Sequence, residues 1–188
     1  MSNTMNQKII YFAGGCFWGT ERLFQHITGV VDTECGYANG DQSISPDYKR
    51  VCKGDTGYRE TVRVTYDPDI VSLSQLLAAF FHVIDPTVEK QQGGDVGDQY
   101  QTGIYFTNEE DETVIKLYVE QEKEKYPVFA VEILPLRVFV PAEEYHQDYL
   151  IKNPDGYCHI SLMEFEEIND VVLKAAKKVY RKPSQEEL

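Results

Sequence analysis

Apolar and polar positions along the chain change period several times, and each change marks an element. Lys8–Ala13 (KIIYFA) is a short apolar run that reads as a strand; Gly14 and Gly15 break it, and Phe17–His26 reads as a helix. Val30–Ala38 reads as a second strand, and Glu60–Tyr66 (ETVRVTY) alternates with β-branched residues, the pattern of a third. After Asp67-Pro68, Ser72 and Gln75 stand at capping-box spacing, and Leu73, Leu76, Leu77, Phe80 and Phe81 follow at helical spacing. Gln101–Phe106 is the next strand. Thr107 with Glu110 is expected to cap a helix running to about Lys125, and Ala130–Val140 is strand-like around Pro135. Glu164–Tyr180 reads as a last helix with Ile168, Val171, Val172, Ala175 and Val179 on one face. Two stretches, Asn39–Tyr58 and Asp85–Tyr100, are polar and rich in turn residues. Both exceed the usual connection length, and long loops in small domains are more often functional than idle.

This order, βαβ followed by βαβ with an extra helix and strand, predicts an α+β fold: a two-layer α/β sandwich with a ferredoxin-like, split βαβ core. The 188 residues suit a single catalytic domain over 1–180, followed by a polar tail, 181–188, that contains Pro183. A net charge of −13 argues against nucleic acid and anionic membrane as partners, because both require Lys and Arg against phosphate. No run approaches the ~20 apolar residues of a spanning helix. The opening MSNTMNQKIIYFAGG has no basic segment followed by a long apolar one, so no secretory leader is expected. Four scattered cysteines are too few for a stapled secreted scaffold, which points to a reducing, cytoplasmic setting.

The densest chemical feature is Gly14-Gly15-Cys16-Phe17-Trp18-Gly19, a cysteine between a strand and a helix start. Helix N-termini favour anions, so the position is expected to lower the thiol pKa, although a small core residue at a turn would look the same. Phe17 and Trp18 suggest an apolar wall beside the thiol, with core packing the plainer alternative for one of them. Glu60 begins a strand after Gly57-Tyr58-Arg59. It is either a carboxyl whose burial keeps it protonated, as a general acid requires, or a surface partner of Arg59. Tyr48 in the first long loop and Asp95 and Tyr100 in the second are possible polar groups of a site, but none stands out alone. Cys158 follows Asn153-Pro154 and Gly156-Tyr157 in turn chemistry, where a loop cysteine can reach another thiol; Cys35 and Cys52 look structural. No metal-binding or phosphate-binding spacing is present, so no cofactor is expected.

Taken together the motifs resemble A-class peptide methionine sulfoxide reductases. The residues that carry the resemblance are GCFWG at 15–19, Tyr48 with Val51-Cys52 and Gly54, Thr56-Gly57-x-x-Glu60, and Tyr66-Asp67-Pro68. They continue with Gly94-Asp95-x-Gly97-x-Gln99-Tyr100, Pro141-Ala142-Glu143-x-x-His146-Gln147-x-Tyr149, and Asn153-Pro154-x-Gly156-Tyr157. The resemblance covers roughly residues 8–160. It implies reduction of the S epimer of methionine sulfoxide, free or in oxidised proteins, with thioredoxin as reductant. It also implies Cys16 as nucleophile, Glu60 as proton donor, Cys158 as resolving cysteine, Tyr48 and Tyr100 on the sulfoxide oxygen, Asp95 ordering the pocket, and Phe17 and Trp18 around the substrate methyl. Three positions depart from the family pattern: Tyr58 replaces a His, Gln101 replaces an Arg, and Asn39 stands in a usual glycine pair. The first two flank candidate catalytic residues and are expected to shift pH optimum or peptide preference. Two other function classes remain at this point: a cysteine hydrolase using His146 or His159 as base, and a non-catalytic acidic binding module.

Overall fold

The computed structural model describes residues 6–176; the tail 181–188 and Val179 of the last helix lie outside the described residues. In chain order the elements are β1 (Lys8–Ala13), α1 (Phe17–Gln25), β2 (Val30–Ala38), α2 (Tyr48–Val51), β3 (Arg59–Tyr66) and α3 (Leu73–Val83). There follow β4 (Gln91–Gln92), β5 (Asp95–Val96), β6 (Gly103–Phe106), α4 (Glu109–Lys123), β7 (Glu132–Pro135), β8 (Phe139–Pro141), α5 (Tyr149–Lys152) and α6 (Leu162–Ala175). Six strands form one mixed sheet in the order β7-β6-β1-β3-β2-β8, in which only the β6–β7 pair is parallel.

Strand alternation sorts the side chains between two faces. Ile10, Phe12, Cys35, Tyr37, Val62, Val64 and Ile104 point toward α1, α3, α4 and α6 and join one buried cluster with Leu23, Phe24, Leu76, Phe80, Ile115 and Ile168. The opposite face carries a small second cluster of Ala13, Ala38 and Tyr105, with Tyr11, Leu136 and Phe139 packed on it. The same alternation separates two neighbours on β3. Glu60 lies buried on the helix side, whereas Arg59 pairs with Asp98 (2.7 Å) and Glu132 (2.9 Å). The surface ion pair between Arg59 and Glu60 is therefore ruled out by the pleat.

Local signals set most helix ends. Ser72 and Gln75 cap α3 reciprocally, and Ser161 with Glu164 does the same for α6, which begins at Leu162, two residues before the expected start. The α4 cap differs from the expected Thr107–Glu110 pair: Asn108 Oδ1 accepts from the Asp111 backbone N–H at 2.8 Å. Asn and Asp are stronger N-caps than Thr, and extended backbone at Asn108 aims its short amide at that N–H. The two long loops also contain regular pieces, α2 in the first and the β4–β5 hairpin in the second.

The expected Ala130–Val140 strand is two strands on opposite edges of the sheet. Asn39 holds the crossing between them. In left-handed conformation (φ 56°), it accepts from Arg137 N–H at 2.7 Å and donates to Pro135 C=O at 3.1 Å. Asparagine tolerates this backbone region better than other L residues do, and its amide satisfies groups next to a proline that breaks the ladder. Asn39→Ala is expected to cost about 2–3 kcal/mol in urea denaturation, from lost hydrogen bonds and a strained φ. A loss below about 0.5 kcal/mol would show the crossing to be held elsewhere.

Candidate active site

The turn Gly14-Gly15 delivers the chain from β1 into α1, and Gly15 makes it possible at φ +88°, with Gln92 Cβ only 2.7 Å from where a methyl would project. Cys16 is the buried N-cap of α1, and the Trp18 and Gly19 backbone N–H groups lie near its sulfur without forming a capping hydrogen bond. Those donors favour a thiolate, as expected for a helix start. Burial opposes them, and so do the negative charges of Glu60 and Asp95, and the net effect pushes the Cys16 pKa far above its ordinary value. The expectation of a lowered thiol pKa is thus corrected: the helix-start N–H groups do not offset desolvation, the largest influence on this thiol.

Glu60 lies under the helix start, fully enclosed, with Oε2 accepting from the Phe17 N–H at 3.1 Å. Burial raises its pKa to about 8, the charge of Asp95 adds to this, and the Phe17 N–H pulls the other way. At neutral pH Glu60 is therefore mostly a carboxylic acid, and its influence on the neighbouring thiol is correspondingly weakened.

Cys16, Phe17, Trp18, Tyr48, Glu60, Asp95, Tyr100 and Tyr157 line one pocket of about 250 Å³. Every candidate site residue except Cys158 meets there. Phe17 is almost wholly core, packed near Tyr37 and His146, while Trp18 is half-buried. The indole stacks on Tyr149 at 3.7 Å and donates to His146 Nδ1 at 3.0 Å, so the wall is a locked stack. Tyr48 and Tyr100 have pKa values raised by burial and by Glu60 and Cys16, among other groups, so both hydroxyls stay protonated and able to donate. Asp95 accepts from Tyr157 O–H at 3.0 Å through Oδ1, while its buried Oδ2 has no partner among the described residues.

Cys158 sits half-buried beside α1: a methyl on Gly19 would fall 3.0 Å from its Sγ. Cys35 is inert by geometry, its thiol sealed in the core and 3.3 Å from Glu21 Oε2. Cys52 is exposed and lies near Tyr48. The sequence reading missed Tyr157 as a lining residue and Tyr149 and His146 as supports of Trp18. The period-free segment 142–158 gives no signal of which face each residue shows. Neither histidine is hydrogen-bonded to Cys16: His146 Nδ1 accepts from the indole and His159 Nε2 meets Gly14 C=O at 3.0 Å.

The departures from the family pattern have structural explanations. Tyr58 points away from the pocket, its buried ring 2.2 Å from where a Gly40 methyl would be and its hydroxyl on Ile44 C=O. Gln101 ties Lys90 N–H to Ala130 C=O. Both pin the long loops, and neither lines the pocket.

The family model described as peptide methionine sulfoxide reductase matches residues 8–177. The chain belongs to this family. It is 51% identical over 154 residues to the peptide methionine sulfoxide reductase MsrA of Clostridium acetobutylicum, an alignment covering 81% of this chain and 94% of that one. Among solved structures it is similar to reduced Mxr1 from Saccharomyces cerevisiae, with a TM-score of 0.80 and 39% identity over 85% of this chain and 94% of that one. Mxr1 in complex with Trx2 matches at a TM-score of 0.55 and 25% identity, covering 78% of this chain and 87% of that one. Family membership sets aside the hydrolase and binding-module alternatives. The fold is mixed α/β, as in these relatives, and no helix among the described residues is long and apolar enough to cross a membrane.

Proposed function

We propose that this chain reduces the S epimer of methionine sulfoxide, free or within oxidised proteins, through Cys16, with thioredoxin restoring the thiols. One observation carries the reading: a buried thiol and a carboxylic acid held neutral share one pocket with two tyrosine hydroxyls and a fixed aromatic wall. The sulfoxide group has a polar oxygen and a small methyl on the same sulfur, and the pocket offers a partner for each.

In the proposed sequence the Cys16 sulfur attacks the sulfoxide sulfur while Glu60 protonates its oxygen, aided by hydrogen bonds from Tyr48 and Tyr100. Phe17 and Trp18 enclose the methyl. Tyr157 holds Asp95, whose free Oδ2 orders the polar side of the pocket. The Cys16 S–H proton replaces the one Glu60 gave, the oxygen passes to Cys16 as the substrate S–O bond and the transient S–S bond break, and methionine leaves with Cys16 a sulfenic acid. Cys158 then condenses with it to form the Cys16–Cys158 disulfide, expelling water. Thiol–disulfide exchange returns both cysteines to thiols, and the relative solved with Trx2 supports thioredoxin as the dithiol. No metal or organic cofactor enters, because the electrons pass through sulfur.

The core also fits a ferredoxin-like, split βαβ description, supported by the order β6-β1-β3-β2 with α1 and α3 as the two crossovers. A single catalytic domain is supported by the family match across residues 8–177. Four free cysteines suit a cytoplasmic, reducing setting.

The decisive assay offers wild-type protein resolved S and R epimers of an N-blocked methionine sulfoxide with dithiothreitol. S-selective reduction is expected, and equal rates on both epimers would remove the stereochemical reading. Cys158→Ser is expected to release about one methionine per chain and then stall with thioredoxin. Sustained thioredoxin-driven turnover would transfer the resolving role to another thiol, with exposed Cys52 the first to test.

A further inference from the structure

His159 takes no part in the steps above, yet its surroundings are those of a proton acceptor. Its Nε2 lies 3.0 Å from the Gly14 carbonyl, and a carbonyl oxygen only accepts, so Nε2 carries the proton. The lone pair of the neutral ring therefore rests on Nδ1. That atom is buried and has no hydrogen-bond partner among the described residues. It faces Gly19, three residues after Cys16 and so on the same side of the first turn of α1. A methyl built on Gly19 would lie 3.1 Å from Nδ1 and 3.0 Å from Cys158 Sγ. Nitrogen and sulfur thus both border the space left because residue 19 has no side chain, without a hydrogen bond between them in this conformation.

We propose that His159 Nδ1 is the base that takes the Cys158 thiol proton when Cys158 attacks the Cys16 sulfenic acid. The proposal rests on the reading of Cys158 as resolving cysteine. In the step, the Cys158 S–H bond breaks and its proton passes to Nδ1 as the S–S bond forms. The Cys16 S–O bond breaks, and the hydroxyl leaves as water with the proton returned by the imidazolium. The sulfenic sulfur is reduced and the Cys158 sulfur oxidised, so no outside reagent is needed.

Such a base answers a specific difficulty. Burial raises the Cys158 thiol pKa, and Glu164 and Asp95 add to this, with only the Ile160 N–H opposing. The thiol is thus overwhelmingly protonated at neutral pH and needs a nearby acceptor. The charged groups facing His159 are Asp95 from the β4–β5 hairpin and Glu164 from α6. Both favour the imidazolium, but burial prevails and holds the ring neutral. Its proton affinity therefore lies below the ordinary histidine value, and the base is available at neutral pH.

His159→Gln tests this, because its amide can still donate to the Gly14 carbonyl but has no basic nitrogen. One equivalent of substrate is reduced without added thiol. Sulfenic acid is trapped and the disulfide followed by mass spectrometry across pH 5–9. Disulfide formation is expected to slow about 10–100-fold at pH 7 relative to sulfenic acid formation in the same sample. In the variant it should also rise with pH throughout the range, whereas the wild-type step levels off above the imidazole titration. An unchanged ratio and profile would overturn the proposal. The wild-type profile judges it even if the variant misfolds: a rate climbing without a plateau through pH 9 excludes an imidazole base. Cys158→Ser separates the two ideas. Persistent disulfide formation there defeats the resolving-cysteine reading itself, and with it this one, whereas an intact requirement for Cys158 with an indifferent His159 defeats only this one.

Discussion

Cys16→Ser is expected to lower reduction of the S epimer by about 10⁴-fold or more, to the level of buffer and dithiothreitol alone. The reason is chemical as much as kinetic. A serine hydroxyl is a weak nucleophile, and even after attack its oxygen cannot accept the sulfoxide oxygen as a sulfur does. The fold has little reason to change, since serine is close in size to cysteine and is a favoured residue at a helix N-cap. The check is methionine release by chromatography, with circular dichroism to confirm folding. Activity within tenfold of wild type would place the nucleophile on another cysteine, and only Cys52 is exposed.

Glu60→Gln is expected to slow single-turnover methionine release by about 10²–10³-fold at pH 7, because the amide cannot give a proton to the departing oxygen. In wild type the same step should fall as pH rises through about 8, where Glu60 loses its proton, and the variant should lack that fall. Wild-type stability falls with pH as well. The carboxyl binds its proton more tightly folded than unfolded, since its pKa rises from 4.5 to about 8 on burial. Wild type therefore loses stability as pH climbs through that window, by an amount of order 3–5 kcal/mol. Glutamine is neutral throughout and can still accept from Phe17 N–H, so the variant should gain on wild type with pH until about pH 8 and then keep a constant lead. Urea denaturation at pH 5, 7 and 9 reads this directly. A stability difference that does not change with pH would mean that Glu60 is ionised in the native state, and would end its role as proton donor.

Much of the molecule was legible before any coordinates. Periodicity and capping located β1, β2, β3, α1 and α3 within a residue or so, because those elements have one buried face and a local start signal. Several separate motifs in one order pointed to the family and to eight site residues, seven of which line the pocket while Cys158 stands beside it. The A-class resemblance and Cys16 came from covalent identity and spacing alone.

Tertiary structure decided everything that depends on what lies across a gap. The pleat of β3 put Glu60 under the helix start and Arg59 on the other face, which turned an ambiguous carboxylate into a buried acid. Burial reversed the expected direction of the Cys16 pKa. The split of residues 130–140 between opposite sheet edges depends on Asn39, nearly a hundred residues earlier. Tyr58 and Gln101 flank candidate catalytic residues in sequence, but neither lines the pocket. Cys158 and His159 are neighbours in sequence, but that both approach Gly19 of α1 is decided only by the fold. Sequence encodes period, caps and chemical identity, which are local. Desolvation, partnering and the sharing of a void are set by residues far apart in the chain, and only the folded packing brings them within reach.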